Sequence, residues 1–163
     1  MDRPLVATLV TEALAEIGVK FRVVTHPKCS TCKLFRICVG TLRPGFEYEV
    51  VEVRSTKHTC PLTGAVMRVV RARPLPAKVA VLQRTAVEGI IVRYEPLDCD
   101  ERNCSYWRFC VDTPIRRQER VRIERIVGIL NCPRGLRLSL VEVYPLSLLP
   151  SARTRSGRRR RGL

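Results

Sequence analysis

The feature that most constrains this chain is that it repeats itself, cysteines included. Cys32, Phe35, Arg36, Cys38, Val39 and Thr41 fall on Cys104, Trp107, Arg108, Cys110, Val111 and Thr113, and Cys60-Pro61 falls on Cys132-Pro133, all at an offset of 72. Residues 66–74 correspond to 138–145 with one residue lost, and residues 9–18 to 80–89 at an offset of 71, each half carrying a glycine (Gly18, Gly89) at the same point. A match over about seventy residues is the signature of an internal repeat, which decides the fold before any local pattern does. The chain therefore reads as a tandem duplication, with a first repeat over residues 1–75, a second over 76–150, a seam near Leu75-Pro76, and an arginine-rich tail over 151–163 expected to be disordered.

Local patterns fill in each repeat. Residues 19–25, 48–54, 66–73, 78–82, 90–95, 120–127 and 137–144 are rich in β-branched and aromatic residues and partly alternate, which predicts strands. Residues 11–17 read as a short helix stopped by Gly18, and their counterpart 83–88 as a helical turn. The expected fold is mostly β (α+β): two small antiparallel β units of about four strands, each with a Cys-rich metal-binding loop and at most one short helix. They form either two tiny barrels or one continuous sheet wrapped by both copies.

The eight cysteines divide into two fours with none left over. Cys29, Cys32, Cys38 and Cys60 are spaced Cys-x2-Cys-x5-Cys-x21-Cys; Cys99, Cys104, Cys110 and Cys132 are spaced Cys-x4-Cys-x5-Cys-x21-Cys. Units this small bury too little apolar surface to be comfortable alone and use staples. Four soft ligands converging from one short loop and a remote strand suit Zn²⁺ or an iron–sulfur cluster. Structural zinc gathers two short Cys pairs, whereas three clustered cysteines joined by a remote Cys-Pro are closer to iron–sulfur ligation. Two iron–sulfur clusters of the 4Fe-4S type are thus favoured over two Zn²⁺, with disulfides still open. Four thiolates around either group leave net negative charge, so Arg36 and Arg108, at matching positions, are expected to support the centres through N–H to sulfur contacts. Phe35, Ile37, Trp107 and Phe109 are expected to shield them from water. His26 and His58 lie near the first set without counterparts in the second and are read as loop residues.

Partners are indicated by charge. Thirty Lys and Arg against fifteen Asp and Glu give +15, and without the six tail arginines Arg153, Arg155, Arg158, Arg159, Arg160 and Arg161 the remainder still carries +9. Such a surface selects a partner dense in negative charge: RNA, with the ribosome as one setting, or an acidic protein docking on an electron carrier. The tail arginines are the expected nucleic-acid contacts. No apolar run is long enough for a membrane span, and Asp2, Glu12 and Glu16 break up the N-terminal stretch, so a reducing cytoplasm is expected. Phosphate loops, Gly-x-Ser-x-Gly and His-Glu-x-x-His are absent from the sequence. No small-molecule substrate is indicated, and the chain is not read as an enzyme.

The runs Cys32-Lys33-Leu34, Leu42-Arg43-Pro44-Gly45, residues 48–54 and His58-Thr59-Cys60-Pro61, continued by Val87-Glu88-Gly89, Cys99-Asp100 and Cys132-Pro133, resemble the archaeal uncharacterised family UPF0179. The resemblance covers about residues 5–145 and implies two cysteine clusters proposed to be iron–sulfur redox centres. The arginine tail after Pro150 lies outside the family pattern.

Overall fold

A computed structural model describes residues 3–148. The tail arginines expected to contact nucleic acid lie outside the described residues. Eight strands and one helical turn follow in chain order: β1 (Val6–Thr11), β2 (Lys20–Arg22), β3 (Glu47–Thr59), β4 (Val66–Pro74), β5 (Ala77–Leu82), β6 (Ile91–Arg93), α1 (Trp107–Cys110), β7 (Arg120–Asn131) and β8 (Arg137–Pro145). The molecule is mostly β, in two four-stranded antiparallel sheets ordered β1-β4-β3-β2 and β5-β8-β7-β6.

The two sheets agree in detail. Val6 faces Ala72 across β1 and β4, and Ala77 faces Val143 across β5 and β8. Gly18 N–H donates to Val50 O at 2.8 Å, and Gly89 N–H to Ile123 O at 2.7 Å. Each long strand breaks register twice, after Val50 and Val53 in β3 and after Ile123 and Ile126 in β7. Such bulges increase local twist and bend the strand. These pairings put Tyr48 opposite Pro74 and Val121 opposite Pro145, a local offset of 73. The second half holds one more residue ahead of β7 than the first holds ahead of β3, and the longer second irregularity of β3 brings the offset back to 72 by the Cys-Pro pairs.

Strand patterning explains the core. Tyr48, Val50, Val70, Ala72, Val79, Val121, Ile123, Val141 and Val143 occupy the inward faces, each at most 1% exposed. The principal core takes Val23, Leu42, Phe46, Tyr48 and Ala72 from the first half and Val79, Tyr94, Ile115, Val121 and Val143 from the second. The expected pair of barrels or single wrapped sheet gives way to two four-stranded sheets over one shared core, because a single open sheet leaves each unit an apolar face that the other covers. The segment expected as a helix over 11–17 contains only a 3₁₀ turn, Glu12–Leu14, its first residue, Thr11, being the end of β1.

Polar contacts also cross the seam. Arg43 reaches Glu119 through Nη1–Oε1 and Nη2–Oε2, both 2.5 Å, and donates to Pro114 O at 2.9 Å. Arg3 pairs with Glu124 and lies 4.9 Å over the Tyr144 ring. Among the described residues, no helix is long and apolar enough to cross a membrane.

Candidate metal centres

Each cysteine quartet lines a cavity of its own. Between β3 and β2 the first loop is a chain of tight turns, Pro27–Thr31, Phe35–Ile37 and Val39–Thr41. The first opens on Pro27, whose fixed φ suits a turn start, and His26 Nδ1 caps it by accepting from Lys28 N–H at 3.1 Å. Successive bonds Cys29 N–H to His26 O, Cys32 N–H to Cys29 O and Phe35 N–H to Cys32 O wind Cys29, Cys32 and Cys38 around one side. Leu34 N–H donates to Cys32 Sγ at 3.4 Å. Cys60 arrives at the β3–β4 turn, which its own carbonyl closes by accepting from Gly64 N–H at 2.8 Å. The four cysteines, with Leu9 and Met67 behind them, surround a cavity of about 470 Å³.

The second quartet is built more tightly. Cys104 follows a turn closed by its N–H to Glu101 O at 3.0 Å, and α1 delivers Cys110 against β5. Leu97 N–H to Cys110 O, 3.0 Å, ties that turn to the Cys99 segment. Cys110 is buried with Ala80, Leu130 and Leu138, and Tyr106, Leu97 and Cys132 pack on the same cluster. Cys99, Cys104, Cys110 and Cys132 line a cavity of only about 20 Å³.

Electrostatics record the same grouping. Burial pushes the Cys38 thiol up, opposed by a hydrogen bond from the Val39 backbone, and Cys29, Cys60 and Cys32 push it further. Burial, with Cys104, Cys132 and Cys99 nearby, pushes Cys110 up to about 11. Hydrogen bonds from the Thr63 hydroxyl and backbone hold Cys60 below its usual value. All eight thiols are free of disulfides. Among the described residues, no three Cys, His, Asp or Glu side chains close on one point tightly enough to grip a metal ion; the sulfurs stand around the cavities instead. Four soft sulfur donors per cavity, with neither His26 nor His58 in either lining, form a donor set suited to zinc or an iron–sulfur cluster.

The expected supporting arginines sit elsewhere. Arg36 is exposed and lines neither cavity, and Arg108 lies 4.8 Å over the Phe109 ring, facing a separate cavity of about 620 Å³ at the seam between the halves. Of the four expected shielding residues, Phe35 and Trp107 line the cavities while Ile37 and Phe109 do not. The cation lining the second cavity is Arg134. Its Nη1 donates to Asp98 O at 3.0 Å, and a hydrogen bond to Cys99, with that sulfur's charge, raises its already high pKa. The repeat held a signal for it: the residue after Cys-Pro is Arg134 in one half and Leu62 in the other.

Fold and cavities together define a class: a mostly β protein in which two like four-stranded sheets each carry four free cysteines around a cavity. The chain belongs to the uncharacterised protein family UPF0179, whose model matches residues 6–143. It is 31% identical to a UPF0179 protein of Methanocaldococcus jannaschii over 88% of this chain and 96% of the relative. Identity is 37% to one from Pyrobaculum islandicum, over 90% and 85%, and 33% to one from Pyrococcus abyssi, over 85% and 96%. No solved structure matches the chain.

Proposed function

We propose that this chain is a metal-binding protein with two four-cysteine centres, iron–sulfur favoured over zinc, and that its basic surface binds RNA, with the ribosome as one setting. The observation that carries the metal reading is the sorting of all eight free thiols, four to each cavity, with no histidine in either lining and Glu101 the one carboxylate, in the second. The RNA reading rests on the net charge of +15 and on Lys28, Lys33 and Arg36, three exposed cations in a loop without an acid. The six tail arginines, Arg153, Arg155, Arg158, Arg159, Arg160 and Arg161, add candidate phosphate contacts to this proposal. Duplication of an ancestral half, with repeats over 1–75 and 76–150, accounts for the paired glycine turns and bulges. A compartment that keeps thiols reduced, such as the cytoplasm, suits eight unpaired cysteines.

A second reading, an electron carrier docking an acidic protein, is favoured by the position of Lys28 and Lys33 on the wall of the first cavity. Anaerobic purification with iron, sulfide and zinc analysis, followed by RNA mobility shifts at several salt concentrations, tests both. The expected result is bound metal near one centre per quartet and an RNA affinity falling with salt at a logarithmic slope of up to about −5 if all tail arginines meet phosphates. Metal-free protein overturns the metal reading. Brown, dithionite-bleached protein that ignores RNA replaces the RNA reading with the electron carrier.

A further inference from the structure

Although the two quartets match in spacing downstream of Cys32 and Cys104, their surroundings differ in four respects. The first cavity measures about 470 Å³ and the second about 20 Å³, roughly the room of one water-sized probe. Cys110 is buried in a packed cluster with Leu130 and Leu138, whereas its counterpart Cys38 is half-buried and belongs to no core cluster. Arg134 joins the Cys132 turn to the Cys99 segment through Asp98 O, and Leu62 in the first half has no side-chain donor with which to do this. Finally, Lys28 and Lys33 line the first cavity, so an anionic donor approaching it meets positive charge.

These differences bear on exchange rather than on ligand chemistry. A metal held by thiolates leaves when a competing donor reaches it and the ligands peel away one at a time. Room for the competitor and loose ligand segments speed both steps; a packed wall and a cross-linked loop slow them. We infer that the two centres have divided roles: the first quartet holds an accessible, exchangeable centre, and the second a retained structural one locked by Arg134. This rests on the metal reading above. Arg134 acts through the cysteines as a positioning residue, and partners of that kind are typically worth roughly 10–100-fold in metal affinity.

The test uses the full chain loaded anaerobically with Zn²⁺ as probe metal and challenged with a chromogenic chelator. Two release phases of similar amplitude are expected. Cys38→Ser removes the fast phase and Cys110→Ser the slow one. Arg134→Leu accelerates the slow phase roughly tenfold or more, and Leu62→Arg slows the fast one. The last two variants leave every thiol in place, so the assignment stands on them if either serine variant fails to fold. Equivalent release of both ions in one phase overturns the division of roles while leaving the metal reading intact. So does a slow phase that follows Cys38, or one indifferent to Arg134→Leu. A chain that takes up no Zn²⁺, iron or sulfide overturns the metal reading itself, and the division with it.

Discussion

At the scale of single residues, the comparison of the two halves exposes a strained position. Gly45 has φ +82° and donates to Val23 O; the residue that donates in the same way to Tyr94 O, at 2.7 Å, is Gln118, with φ 62°. A left-handed conformation crowds any Cβ against the neighbouring carbonyl and is nearly free for glycine. Gln118→Gly is therefore expected to raise stability by about 0.5–1 kcal/mol after glycine's own entropy loss, read from denaturant midpoints. Gly45→Ala runs the other way, since its Cβ would meet Pro114 Cβ at 3.0 Å. A second residue test concerns Tyr144, fully buried, whose hydroxyl has no hydrogen-bond partner among the described residues. Burial pushes that phenol up to about 12. Because an unsatisfied buried hydroxyl costs about 1–3 kcal/mol, Tyr144→Phe should be neutral or stabilising by about 1 kcal/mol, and a melting temperature lowered by several degrees would refute this.

At the scale of elements, the first cysteine loop is tethered to an edge strand by two hydroxyls. Thr8 Oγ1 on β1 donates to Cys38 O at 3.0 Å, and Thr41 Oγ1 lies within hydrogen-bonding reach of Ala7 O and Cys38 O. Thr8 is fully buried, so Thr8→Val keeps its volume and deletes the hydroxyl. The expected outcome is faster amide exchange confined to residues 27–42, by about fivefold for a loss near 1 kcal/mol, with β7 and β8 unchanged. Much of this architecture was readable beforehand: seven strands were located by their β-branched runs, and the cysteines that spacing divides into two fours line two separate cavities. β1 was missed because Val6, Leu9 and Val10 run into Leu14 and Ile17 with a helical look, and only pairing with β4 settles the conformation. The turn α1 was missed for the opposite reason. Four residues are too few for periodicity, and tertiary packing of Cys110 and Phe109 holds them.

At the scale of the whole molecule, the sequence match pointed to two similar halves but not to how they join, since the charge pair across the seam falls where the halves differ. Arg43 lies between Thr41 and Gly45, a stretch whose counterpart between Thr113 and Gln118 is one residue longer, and Arg43 crosses to Glu119. Both side chains are nearly buried, at 9% and 11% exposed, and Glu119 also accepts from Arg116 N–H at 2.9 Å and Ser147 Oγ at 3.1 Å. Removing one partner strands the other's charge, so Arg43→Ala should cost about 3–5 kcal/mol, a large share of the stability of a domain this size. The bridge also predicts a pH dependence. Burial alone would raise the Glu119 carboxyl, but hydrogen bonds from Arg43 and the Arg116 backbone, the Arg43 charge and Ser147 outweigh it and hold the carboxyl below the usual range. A carboxylate depressed by folding contributes stability in full above its unfolded value, near 4.3, and loses it as pH falls through the lower folded value. The native chain should thus hold a flat melting temperature down to about pH 5 and lose stability below that. Glu119→Gln, less stable at neutral pH, should close the gap as acid protonates the native carboxyl. A gap of constant size from pH 7 to pH 3 would mean that the halves are held by their shared apolar core and owe nothing to this charge pair.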